Sequence, residues 1–111
     1  MRTAKSTEVE QEIFEKQVLI CKAFANATRL RILDLLGKRE WKASELQKQL
    51  GISQANLSQH VGILKSAGVI VRKRRNKDVV FSLAMPQVRT ACHLIRSVLR
   101  AQIRNSRRYL E

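Results

Sequence analysis

Five neutral hydrogen-bonding side chains fall within seven residues, Gln54, Asn56, Ser58, Gln59 and His60, and Ser53 stands just before them. Glutamine and asparagine each offer a donor and an acceptor at a spacing that matches an adenine edge in the major groove. Serine and histidine adapt to a base or a phosphate oxygen. A helix face that merely meets water more often carries lysine and glutamate, which favour the helix and keep it soluble. The plainer reading is an ordinary helical hairpin whose polar side is rich in amides. A second group is the basic run Arg72, Lys73, Arg74, Arg75 and Lys77, suited either to phosphate or to a charge-protected strand edge. The third is the pair Cys21 and Cys92, too few and too far apart for a disulfide framework.

The elements that must position these groups can be read around them. Ser44 followed by Gln47 has the spacing of a capping box, with Leu46 and Leu50 one turn apart behind it. Gly51 stops that short helix in a left-handed turn. Ser53 then caps a second helix along which Leu57, Val61 and Leu64 make one apolar stripe. A short helix, a glycine turn and a helix led by amides form a helix-turn-helix, with the second helix offered to a major groove. After Gly68 the period changes to two. Val69, Val71 and Lys73 alternate with Ile70, Arg72 and Arg74, and Val79, Phe81 and Leu83 alternate with Val80 and Ser82. Arg75 to Asp78 separates these two strands, and Asn76 suits a left-handed turn position. A basic hairpin placed directly after a helix-turn-helix reads as a wing on the flanking backbone.

Upstream, Thr7 to Ala25 reads as a helix with Val9, Ile13, Ile20 and Phe24 on one face, widened by Phe14, Val18 and Cys21. Asn26 caps the next helix, in which Leu30, Leu33, Leu35 and Leu36 face inward, Arg29 and Arg31 outward, and Gly37 marks the end. Lys38 to Lys42 reads as a connector anchored by Trp41. Downstream, Pro86 fits the first turn of a helix running to about Arg108. Val88, Cys92, Ile95, Val98, Leu99 and Ile103 keep one side of it apolar, opposite Arg96, Arg100, Arg104 and Arg107. Terminal helices this long and amphipathic, with no layer to cover them, predict a homodimer seam. Glu8, Glu12 and Glu15 on the first would lie near the arginines of the last.

Composition limits the function classes. The chain has 111 residues, 44% hydrophobic, with net charge +13 and pI ≈ 10.9, which bounds one domain and points to a polyanion. From Thr28 to Lys77 there are 12 lysines and arginines against three acids, whereas four of the nine acids fall between Glu8 and Glu15. The positive charge therefore travels with the helix-turn-helix. Lys22, Arg29 and Arg31 interrupt the most apolar region, so no membrane span is expected, and the N-terminus lacks a secretory pattern. The cytoplasm is the expected compartment. No phosphate loop, nucleophile elbow or paired-carboxylate spacing suggests an enzyme. No cofactor is implied.

The stretches FANATRLRILDLL, SELQKQLGISQANLSQHVGILKSAGVIVRKRR and DVVFSL resemble the ArsR/SmtB family of winged-helix repressors over roughly residues 20–85. The resemblance implies a mostly α fold with a small β-hairpin, ordered as four helices, two strands and a last helix, and a homodimer through the first and last helices. It implies repression of an inverted-repeat operator in double-stranded DNA and release by a chemical signal. By position, Ser53, Gln54, Asn56, Ser58, Gln59 and His60 would read base and phosphate, and Arg72 to Lys77 would form the wing. The family's inducer sites do not carry over. Its soft-metal version places Cys-x-Cys where this chain has Trp41-Lys42-Ala43-Ser44. Its zinc version needs a second histidine and carboxylates that the last helix lacks around His93, the next acid being Glu111. Its persulfide version has a cysteine near Asp34 and another later than Cys92. Three readings of the thiols stay open: buried packing, a redox or arsenic-type switch between Cys21 and Cys92, or a metal site using Cys92 with His93, which the roughly 100° between adjacent helix residues disfavours. No metal is expected and the inducer is unknown.

Overall fold

In the computed structural model, residues 4–110 are described, with side chains from 6 to 107. Eight elements follow in order: α1 (Ala4–Phe24), α2 (Ala27–Lys38), β1 (Trp41–Lys42), α3 (Ala43–Leu50), α4 (Gln54–Ser66), β2 (Ile70–Arg75), β3 (Asp78–Leu83) and α5 (Pro86–Leu110). Glu111 lies outside the described residues.

Local chemistry accounts for most boundaries. Asn26 caps α2 by accepting the Arg29 backbone N–H at 3.0 Å, and Ser53 caps α4 by accepting that of Asn56 at 3.1 Å. Gly51 turns between α3 and α4 at φ +66°, a left-handed conformation in which a Cβ is strained. Asn76 supplies the left-handed position of the hairpin at φ +59°, and Pro86 opens α5.

The start of α3 departs from expectation. Its cap is Lys42 rather than Ser44, and the Glu45 carboxylate accepts the Lys42 backbone N–H at 2.9 Å. Pairing fixes that start: Trp41 and Lys42 sit opposite Phe81 and Val80, making a sheet of order β1-β3-β2. The stretch expected as a connector therefore holds a third strand. Trp41 anchors it, donating from Nε1 to the Leu35 carbonyl at 2.9 Å while the Arg39 guanidinium lies 3.7 Å over its ring. Gly37 does not end α2, which continues to Lys38. The Arg89 stem from α5 lies 3.4 Å from where a Cβ on Gly37 would stand, so this glycine serves close helix packing.

The core is built from Ile32, Leu33 and Leu36 of α2, Leu46 and Leu50 of α3, and Leu57, Val61 and Leu64 of α4. Ala23, Val69, Ile70, Phe81, Val88 and Cys92 complete it. Leu30, expected inside, is exposed, and Ile32 takes its place at 0% exposure.

α1 and α5 behave differently. Among the described side chains of α1 only Ala23 is buried and Phe24 half-buried, while Phe14 and Leu19 are bare at 62% and 57%; on α5 Leu94 and Val98 are bare at 62% and 59%. Arms of this kind explain a radius of gyration of 17.5 Å, where a compact chain of this length has about 13 Å. Within the protomer α1 packs on α2 and α4, and α5 on α2 and β3. The expected acid–arginine pairing of α1 with α5 is not made inside one chain. Glu12 instead pairs with Lys16 at 3.1 Å, and Arg96 with Asp34 of α2 at 3.1 Å.

Candidate nucleic-acid interface

The polar side of α4 divides into three strips. At about 100° per residue, Gln54, Ser58 and Lys65 share the edge toward the hairpin. Ala55, Gln59 and Gly62 form the crest, and Asn56 and His60 lie on the far edge. Ser53, Gln54, Asn56, Ser58 and Gln59 are all exposed, whereas His60 is half-buried. The Ser53 hydroxyl is engaged as the cap of α4, whereas the Gln54, Asn56, Ser58 and Gln59 side chains make no hydrogen bond among the described residues and are free for a partner.

Between α4 and the hairpin runs a groove of about 640 Å³. Gln54, Ser58 and Lys65 line one wall and Arg72 and Lys77 the other, with Ser44 and Gln47 of α3 at its end. Lysine and arginine on both walls give it a positive potential that suits a phosphate chain. Its one lining acid, Asp78, is paired with Lys42 at 3.3 Å. Lys65 is not singled out by sequence, and Ser44 and Gln47 read there only as a capping box. Lys65 follows Ser58 by seven residues, a helical repeat that marks the same edge. Ser44 and Gln47 gave no such signal, because their place depends on how α3 packs under α4.

The wing residues do not form one surface. Alternation sets Arg72 and Arg74 on the strand face opposite that of Lys73 and Arg75. The Arg75 guanidinium meets Glu40 at 3.1 Å, beside the Lys42–Asp78 pair, so although it ends β2 next to the hairpin turn it is tied back to the protein. All five basic residues of the run are exposed.

Arg29, expected on the outer side of α2, is half-buried and turned inward. Its Nε donates to the Ala23 carbonyl at 2.7 Å and its Nη2 to that of Lys22 at 3.2 Å, while its Nη1 lies 3.3 Å from Nδ1 of His60. One guanidinium therefore joins the end of α1, the start of α2 and the polar face of α4. The reason is local: the last carbonyls of α1 have no partner within the helix.

The thiols are not brought together in the protomer. Cys21 is exposed and Cys92 buried, and they line different clefts. Burial pushes the Cys92 thiol above its ordinary range, with Arg96 opposing and Asp34 adding to the shift. A thiol held protonated is a poor nucleophile. Among the described residues, no three His, Cys, Asp or Glu side chains cluster as metal ligands, and no helix is long and apolar enough to cross a membrane.

Comparison with known proteins places this geometry. Residues 24–73 match the helix-turn-helix domain family. The HTH-type transcriptional regulator Rv0081 of Mycobacterium tuberculosis is 31% identical over 90 residues, covering 80% of this chain and 79% of that protein. Its crystal structure superposes with TM-score 0.76 over 86% of this chain and 95% of its own. The transcriptional activator HlyU of Vibrio cholerae is 34% identical over 80 residues, 72% of this chain and 74% of that one. A homodimeric winged helix-turn-helix domain from Mycobacterium bovis, described as a possible ArsR-family regulator, shares the fold with TM-score 0.81. It is 24% identical, over 86% of this chain and 89% of its own.

Proposed function

The chain belongs to the helix-turn-helix transcriptional regulators, and from that premise we propose that it is an ArsR-like winged-helix regulator, sequence-specific, that binds double-stranded DNA as a homodimer and represses transcription. The observation that carries this reading is the groove between α4 and the wing. Free amides and a hydroxyl stand on one side of it, and unpaired cations on the other. A major groove admits a helix of this width, so the crest with Gln59 enters it and Gln54 and Asn56 reach base edges. Ser53 and Ser58 meet the walls of the groove. Arg72, Arg74, Lys73 and Lys77 contact the flanking backbone, positioning the protein without reading sequence.

The homodimer forms through α1 and α5. Their bare Phe14, Leu19, Leu94 and Val98 are too many for a free surface, and a two-fold axis gives both helices a partner. The seam can set acids against arginines: Glu8 and Glu15 on α1, Arg100 and Arg104 on α5. Exposed pairs of this kind add only ~0.2–1 kcal/mol each but fix register. Two α4 helices related by that axis call for an inverted repeat. A dimer seated over a promoter excludes polymerase, which is the outcome we propose. In this reading the chain is one domain with terminal dimerisation helices, works in the cytoplasm, and has no enzymatic role and no cofactor. Cys92 is packing, and no thiol switch is needed.

Selection of duplexes from a random pool, followed by titration at physiological salt, tests the reading. A regulator prefers a short inverted repeat by ~10³-fold or more over random duplex. Equal affinity for both would make the protein a nonspecific architectural binder instead.

A further inference from the structure

The groups around His60 decide what that residue can offer a ligand. A guanidinium only donates, so Nδ1 of His60, 3.3 Å from Arg29 Nη1, must accept. That assigns the ring proton to Nε2. Every buried side-chain nitrogen and oxygen among the described residues has a partner. Nε2 of His60 has none, so it opens to solvent. Asn56 and His60 share the far edge of α4, away from the wing and about 100° round from the crest at Gln59. At His60, one turn beyond the N-terminal Asn56 that reaches a base edge, a side chain on that flank meets the sugar–phosphate wall of a groove whose floor the crest occupies.

We propose that Arg29 is a positioning residue for DNA binding: it fixes the His60 imidazole with its proton on Nε2, and His60 then donates that proton to a DNA phosphate oxygen. The proposal deepens the reading of the chain as a DNA-binding dimer and rests on it. Its second consequence is mechanical. The same guanidinium holds the Ala23 and Lys22 carbonyls at the end of α1, so the angle of the dimer arm and the state of the phosphate donor share one residue. A displaced arm would free the ring to take the other tautomer, which turns a lone pair toward phosphate and repels it.

The full-length wild type is titrated with its selected duplex and with a random duplex of equal length, beside His60→Asn, His60→Gln, Arg29→Ala and the Arg29→Ala/His60→Gln double variant. Asparagine keeps an acceptor where Nδ1 stood but nothing that reaches DNA. Glutamine places an amide N–H near the Nε2 position whatever Arg29 does. Losing a hydrogen bond to a charged group weakens binding by about tenfold or more. His60→Asn is therefore expected to lose about tenfold on both duplexes alike. Arg29→Ala is expected to lose at least as much, and in the His60→Gln background only a few-fold. Long-range ¹⁵N NMR of the wild-type imidazole should show Nε2 protonated and Nδ1 bare, free and bound.

His60→Asn at wild-type affinity would overturn the phosphate contact. A loss confined to the selected duplex would move the donor to a base edge and overturn the phosphate assignment. An Arg29→Ala loss of equal size in both backgrounds would mean that Arg29 acts through the arm alone. A ring protonated at Nδ1 would overturn the proposal without any variant, should Arg29→Ala fail to fold. A wild type that does not discriminate between the duplexes would instead count against the regulator reading, which this comparison keeps separate.

Discussion

Gly62 offers a measurement in which protein stability and DNA affinity should move in opposite directions. It lies inside α4, it is exposed, and a Cβ built on it meets nothing within 4 Å. Glycine in a helix interior is less favourable than alanine by about 0.5–1 kcal/mol. Within the protein, then, Gly62→Ala has only a gain to make. With an unfolding entropy of about 2.1 cal/mol/K per residue, 111 residues amount to about 0.23 kcal/mol/K. The expected rise in melting temperature is about 2–4 °C, read by circular dichroism at one fixed protomer concentration, since dimer melting depends on concentration. On DNA the sign reverses. Gly62 stands on the crest between Ser58 and Lys65, and a methyl group pressed into a closely fitted surface costs about 1–3 kcal/mol. Fluorescence anisotropy should therefore show operator affinity reduced by roughly 5- to 150-fold. A variant that melts lower would show that the helix itself needs the glycine. One that melts higher and binds unchanged would show that DNA does not approach along this crest, and the division of α4 into strips would be wrong.

Arg72→Ala should weaken selected and random duplexes alike and reduce the slope of log K against log salt by about one for each protomer of the dimer, about two in all. Arg75→Ala should change that slope less, because Glu40 already holds its guanidinium; equal slopes would mean the ion pair opens on DNA. Phe14→Glu, which places a charge on the bare face of α1, should turn the dimer into monomer in sedimentation equilibrium; a dimer unchanged at micromolar concentration would exclude that face from the seam. Cys92 should alkylate far more slowly in the folded protein than in urea, and its raised pKa has a defined sign. The folded state holds the thiol proton more tightly, so its contribution is present below the ordinary thiol pKa of 9.0 and declines as pH rises through and beyond that value. A Cys92→Ala protein should lack this part of the alkaline decline in melting temperature.

Much of the site was legible because it rests on local chemistry. Gly51 and Asn76 mark left-handed turns, Ser53 marks a cap, and Leu57, Val61 and Leu64 mark a buried stripe. Each works within a few residues of itself. The misreadings share a distant cause. The start of α3 is set by β1, two residues whose pairing with Phe81 and Val80 leaves no periodic trace. Gly37 reads as a stop until Arg89 of α5 is laid across it. Arg29 reads as solvent-facing because nothing nearby in sequence reveals that the carbonyls of Lys22 and Ala23 and the ring of His60 converge on it. Leu30 and Ile32 changed places because adjacent apolar positions on α2 compete for the core, and only tertiary packing decides between them.

Trp41 has a practical consequence. It is the one tryptophan in the chain, and it stands at the root of the wing with its ring under Arg39 and its nitrogen tied to Leu35. The protein thus carries its own optical reporter on the sheet rather than on either terminal helix. Its emission should follow melting of the reading head and disturbance of the hairpin, and stay silent when two protomers part without unfolding. Set against a light-scattering mass, that one signal can tell a broken dimer from a denatured one with no dye attached.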